Sequence, residues 1–153
     1  MKARMPIVSA SLVLFALIQV GGWAQSKYVP RENEEIFGRW KDEKVPTMQT
    51  VIDSVGFKVY YGETNTVELN EATLDMEKKW TDADGNVWYK TLGVFVGESP
   101  YAGTKFQALY KVFKSKTELE CWVNTVNGYD PKNYPAESAP TGTNEYSYFR
   151  VEQ

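Results

Sequence analysis

The chain has 153 residues, with 17 Lys and Arg against 20 Asp and Glu, a net charge of −3, no histidine and one cysteine. Without histidine there is no Ser-His-Asp or Cys-His arrangement and no histidine-based zinc site, and one cysteine excludes an intrachain disulfide. An acidic chain without a Lys/Arg cluster is a poor partner for nucleic acid or anionic lipid.

At the start, Lys2 and Arg4 precede a mostly apolar stretch from Ile7 to Val20, and small residues stand at Gly22 and Ala24. That is the order of a secretion signal over 1–24, cleaved after Ala24, with a single domain over 25–153. The apolar stretch is shorter than the roughly 20 residues a spanning helix needs, and retention as an uncleaved anchor is the other reading. No cysteine stands at the cleavage point, so the bacterial lipoprotein route lacks its attachment residue. Losing Lys2 and Arg4 would bring the charge to −5 over 129 residues, enough chain to enclose a core. The expected location is outside the cytoplasm, in the periplasm or the medium.

Period-two alternation dominates the chain after the signal, and long helical periodicity is missing. "PRENEEI" reads as a short helical turn, followed by eight strands at 37–43, 47–52, 56–61, 73–81, 86–96, 105–113, 118–126 and 145–151. In "TLDMEKKWT" the alternation sets Leu74, Met76 and Trp80 on one face, and the Asp-Gly turn in "DADGN" makes this the clearest hairpin. If each strand runs antiparallel to the last, the connections at 53–55, 82–85 and 114–117 share one end. Those at 44–46, 62–72, 97–104 and 127–144 share the other, and three of these four are long. The expected fold is therefore all-β, an eight-stranded antiparallel up-and-down barrel with a narrow end and a loop-rimmed mouth. An even strand number lets the first and last strands close antiparallel.

This order places Gly38 and Trp40 of "FGRWK" at the narrow end, with Arg150 of "YSYFRVEQ" arriving beside them. Gly38 permits close approach, Trp40 plugs the barrel, and an Arg150 guanidinium can lie flat over the indole. "FGRW" behind a short turn, with an arginine on the last strand, resembles the lipocalin and fatty-acid-binding (calycin-like) superfamily. That family has a G-x-W at the start of its first strand and a basic residue across the tryptophan. The resemblance implies a lipocalin-like barrel with Gly38, Trp40 and Arg150 in those structural places. The chain departs from the family in lacking a T-D-Y motif and a disulfide pair, and its first connection, "KVP", is short. A divergent bacterial lipocalin-like domain accommodates these departures, but the family's ligand does not carry across.

No residue set marks an enzyme, and no cofactor or metal site is expected. Asp82, Asp84 and Asn86 have calcium-loop spacing, but Gly93 stands where the loop's terminal glutamate belongs, so the stretch reads as a hairpin turn. Cys121 shares the parity of Leu119 and Val123 and reads as a buried small residue. Ten tyrosines and four tryptophans follow the signal. Two readings stay open: aromatics filling the barrel, or a lumen lined by Phe57, Tyr61, Met76, Trp80, Phe106, Tyr110, Cys121 and Tyr148 around one small apolar or amphipathic ligand. Tyr129 and Tyr134 lie in a Pro-rich connection that serves either as a lid or as surface loop. The mouth segments hold Glu63, Glu68, Glu71, Glu98, Asp130 and Glu137 against Lys132, which favours neutral or cationic ligands.

The leading functional expectation is an exported small-molecule binder. The alternative is a packed-barrel interaction module, binding a protein or glycan through the aromatic loops 97–104 and 127–144. Membrane insertion as an outer-membrane barrel is disfavoured, because Asp75, Glu77 and Lys79 would break its apolar outer band.

Overall fold

The computed structural model describes residues 28–61, 67–126, 134, 140 and 144–152. The expected signal over 1–24 and Tyr129 lie outside them. The strands are β1 (Gly38–Asp42), β2 (Met48–Ile52), β3 (Gly56–Tyr61), β4 (Val67–Thr81), β5 (Val87–Val96), β6 (Lys105–Val112), β7 (Glu118–Val126) and β8 (Asn144–Arg150). Each pairs antiparallel with the next, and β8 returns to β1 through Trp40↔Arg150 and Asp42↔Tyr148, closing the barrel. Closure leaves no unpaired edge, which suits short β-rich segments with no covering helix among the described residues.

The turn before β1 is two successive turns rather than a helix. Glu34 is the reason: its Oε1 accepts the Arg31 amide at 2.7 Å while its carbonyl accepts the Phe37 amide at 3.0 Å. At the "DADGN" turn, Asp82 Oδ1 accepts the amides of Asp84 and Asn86, and its Oδ2 accepts Asn86 Nδ2 and Trp88 Nε1. These bonds, the Trp88 indole first, hold the Asp82 carboxyl down at about 2. The carboxylate is consumed in shaping a hairpin.

β4 departs most from its expected form. It begins at Val67, six residues before the alternation becomes regular, so Glu68 and Glu71 belong to a strand and not to a mouth loop. Glu71 pairs with Lys58 of β3 at 3.5 Å. Two bulges explain the difference, one where β3 shifts register between Val59 and Tyr60, the other where β4 shifts between Met76 and Lys78. Each bulge flips the side-chain parity. Leu74 and Met76 face inward, but past the second bulge Lys79 takes the inward place and Trp80 turns out. Trp80 stacks on Trp88 at 5.8 Å, and Trp88 on Trp122 at 5.8 Å, a ladder on the outer wall of β4, β5 and β7.

Candidate functional site

The narrow end is closed from the sequence upward by β1. Trp40 is fully buried, and its Nε1 donates to the Ile36 carbonyl at 2.8 Å. Arg150 covers the indole with its guanidinium carbon 4.1 Å from the ring centre. Its Nε donates to the Lys116 carbonyl at 2.6 Å, and its two terminal nitrogens donate to the Phe37 and Glu35 carbonyls. Gly38 has φ +133°, and a Cβ there would stand 2.7 Å from the guanidinium. The plug joins three separate chain segments.

Beside the plug sits a charged cluster with no sequence motif to announce it. Lys79 Nζ lies 2.6 Å from Glu34 Oε2 and 2.6 Å from Glu35 Oε2. The Tyr89 hydroxyl lies within hydrogen-bonding distance of both carboxylates, 3.0 Å from Glu34 and 2.7 Å from Glu35, with one proton to share between them, and Tyr28 donates to Glu34. Burial raises the Glu34 pKa, but hydrogen bonds from the Arg31 amide, Lys79 and both tyrosines outweigh it and bring the group to about 2. Glu35 is lowered in the same way, with Lys79 and Tyr89 overcoming its burial. Burial pulls Lys79 down, but its bonds to Glu34 and Glu35 leave it raised. None of these groups lines the barrel's cavity, so the paired carboxylates form an anchor for the segment that crosses the barrel floor.

Above the floor the lumen is open. The lower half is packed by Ile36, Leu74, Met76, Tyr89, Ala108 and Val112. The upper half holds a cavity of about 400 Å³ with Trp40, Ile52 and Leu119 among its lining residues. One wall is an aromatic cluster from β3, β5, β6 and the β5–β6 connection. Phe95 lies 5.0 Å from Phe106, 5.8 Å from Tyr101 and 6.1 Å from Phe57, centre to centre. The room for it comes from Gly93, where a Cβ would stand 2.0 Å from the Phe106 ring. On the wall from β8 and β1 are Tyr146 and Tyr148, stacked at 6.1 Å, with Asp42 beside them.

The structure divides the sequence-predicted lumen residues. Phe57, Phe106, Tyr110, Cys121 and Tyr148 line the cavity together. Met76 is buried in the packed half below it. Tyr61 is half exposed near the end of β3 and is not part of the lining. Trp80 stands outside because of the β4 bulge. Tyr134, expected as a lid, lies against the outer wall: its hydroxyl donates to Glu77 Oε2 at 2.6 Å, and Lys90 Nζ sits 4.2 Å over its ring. Of the mouth acids, Glu71 stays at the rim, its carboxylate beside Gly97 and paired with Lys58, and Glu98 is on the same connection, while Glu63, Asp130, Glu137 and Lys132 lie outside the described residues.

Sequence reasoning missed Asp42, Phe95, Tyr101 and Tyr146 as lining residues. Asp42 and Tyr146 were legible in principle, since Asp42 shares the parity of Trp40 and Tyr146 that of Tyr148. Cys121 faces the cavity and bonds to the Tyr110 hydroxyl. Burial pushes its thiol well above the usual range, more than the tyrosine bond lowers it. A buried protonated thiol is a wall atom and a poor nucleophile.

In comparisons with known proteins, no family profile matches the chain, and neither the curated proteins nor the solved structures yield a significant match. The fold and the lumen therefore carry the functional argument.

Proposed function

We propose that this chain is an exported, lipocalin-like binding protein for one small apolar or amphipathic molecule, held in the upper half of the barrel. The observation that carries the reading is the cavity of about 400 Å³, within the range of small-ligand sites, with an aromatic wall and a few polar groups facing it. The Gly38–Trp40–Arg150 plug supports the lipocalin-like part, and the basic-then-apolar order of residues 1–24 supports export. A carrier role, rather than an enzymatic one, fits a lumen without histidine and with a protonated thiol.

The rival reading, an interaction module using 97–104 and 127–144, has less support. Tyr101 is exposed, yet its ring leans on Phe95 as part of the cavity wall. Tyr134 is spent on Glu77 and Lys90.

Native mass spectrometry of the protein from its own host's exported fraction tests the proposal. A discrete added mass that is lost on denaturation is the expected result. A bare mass, together with no binding of the neutral apolar probe N-phenyl-1-naphthylamine, would overturn it. Absence from the exported fraction would overturn the export part alone.

A further inference from the structure

Resting on the reading of the lumen as a ligand site, we propose that Asp42 anchors a protonated amine or ammonium group, so that the ligand is a cationic amphiphile. Asp42 ends β1 and is about nine-tenths buried. Among the described residues that line the cavity, it is the one charged side chain. Two backbone amides bond it, those of Lys44 at 2.8 Å and Val45 at 2.7 Å, and both meet Oδ1. Among the described residues none donates to Oδ2, and no ion pair with a described cation neutralises the group. The nearest arginine by register, Arg150, is turned beneath Trp40 and bound to three carbonyls.

A buried carboxylate facing an apolar lumen is costly unless a cation or donors meet it. The surroundings suit a cation. Tyr148 pairs with Asp42 across β1 and β8, and Tyr146 stacks on Tyr148. Aromatic faces next to a carboxylate are the setting in which an ammonium gains both a charge-assisted hydrogen bond and cation–π attraction. The cluster of Phe57, Phe95 and Phe106 provides the apolar surface for the rest of the molecule. An anionic head group would meet Asp42 without a compensating base.

The test is displacement of N-phenyl-1-naphthylamine, at neutral pH and low salt, by three probes of equal chain length: decylamine, decanol and decanoate. The wild-type protein should bind decylamine at least about tenfold more tightly than decanol, with decanoate weakest, as expected for a hydrogen bond to a charged group. Asp42→Asn keeps an Oδ1 acceptor for the Lys44 and Val45 amides while removing the charge. It should abolish the decylamine advantage and leave decanol unchanged. Equal binding of decylamine and decanol by the wild type overturns the inference, and so does an advantage that survives in a folded Asp42→Asn variant. If Asp42→Asn fails to fold, the wild-type series alone still decides. Failure of both the naphthylamine and decanol to bind overturns the lumen reading and this inference with it. Normal binding of those two without amine preference overturns this inference alone.

Discussion

The Arg150 guanidinium carbon lies 4.1 Å above the centre of the Trp40 ring, and Trp40 pairs with Arg150 in the β1–β8 register that closes the barrel. The two side chains thus seal the floor and the seam with one contact. Burying the indole fully and satisfying its Nε1 on Ile36 makes it the largest single apolar contribution at this end. Trp40→Ala should destabilise the fold by about 3–5 kcal/mol, the usual cost of deleting a large buried aromatic. Arg150→Lys should cost less, about 1–3 kcal/mol, because an ammonium cannot reach three carbonyls and stack at once. Denaturant titration of both variants checks this; a loss below about 1 kcal/mol for Trp40→Ala would contradict the plug.

Gly38 is constrained twice, by a φ of +133° that side chains rarely adopt and by the 2.7 Å approach of Arg150. Gly38→Ala should therefore destabilise by about 1–3 kcal/mol. Because part of the cost is collision with the guanidinium, combining it with Arg150→Ala should be less than additive. Strict additivity in a double-mutant cycle would mean that backbone strain alone sets the cost.

The floor cluster makes stability depend on acid. Glu34 has a folded pKa of about 2 against an ordinary 4.5, so its stabilisation is fully present above pH 4.5 and is lost as the pH falls toward 2. Glu35 is lowered too and adds to the same slope. In that window the unfolded chain binds more protons than the folded one, which is the condition for stability to fall with pH. Glu34→Gln should flatten the dependence of the denaturation midpoint on pH below 4.5. An unchanged slope would show that Glu34 is not the group being titrated.

How far the residues announced all this varies from element to element. The barrel and its two ends were legible because alternation and turn chemistry agree over β6 and β7, where Phe106, Ala108, Tyr110 and Val112 share one face and Leu119, Cys121 and Val123 another. β4 was not, because its bulges reverse the parity twice within 15 residues, so that the row of Leu74 and Met76 leads falsely to Trp80. The plug was legible from Gly38, Trp40 and Arg150 because closure of an even-stranded barrel brings the first and last strands together. The Glu34–Lys79 contact was not, since 45 residues separate the partners and one of them stands inward only through a bulge. In the lumen, Phe57, Phe106, Tyr110 and Tyr148 drew notice and Asp42 did not, although Asp42 shares the inward parity of Trp40.

Cys121 should be silent toward alkylation. It is buried, hydrogen-bonded with Tyr110, and its thiol is held protonated, chiefly by burial. Iodoacetamide at mildly alkaline pH should leave the native protein unmodified while labelling it fully in denaturant, as read by mass. Rapid native labelling would mean that burial does not hold the thiol protonated in the folded protein.

Gly93 controls how much of the lumen is empty. Its missing side chain lets the Phe106 ring lie against β5, where a Cβ would stand 2.0 Å from the ring's far carbon. Gly93→Ala must push that ring toward the centre of the cavity, because the backbone beneath Gly93 is fixed by pairing on both sides. The variant should stay folded, at a cost of about 1–3 kcal/mol for overpacking, and should bind N-phenyl-1-naphthylamine several-fold more weakly. Trimming the ring in Gly93→Ala/Phe106→Leu should restore the volume and most of the binding. If Gly93→Ala folds and binds the probe as well as the wild type does, the probe is not seated against Phe106, and the aromatic wall is packing rather than a ligand surface.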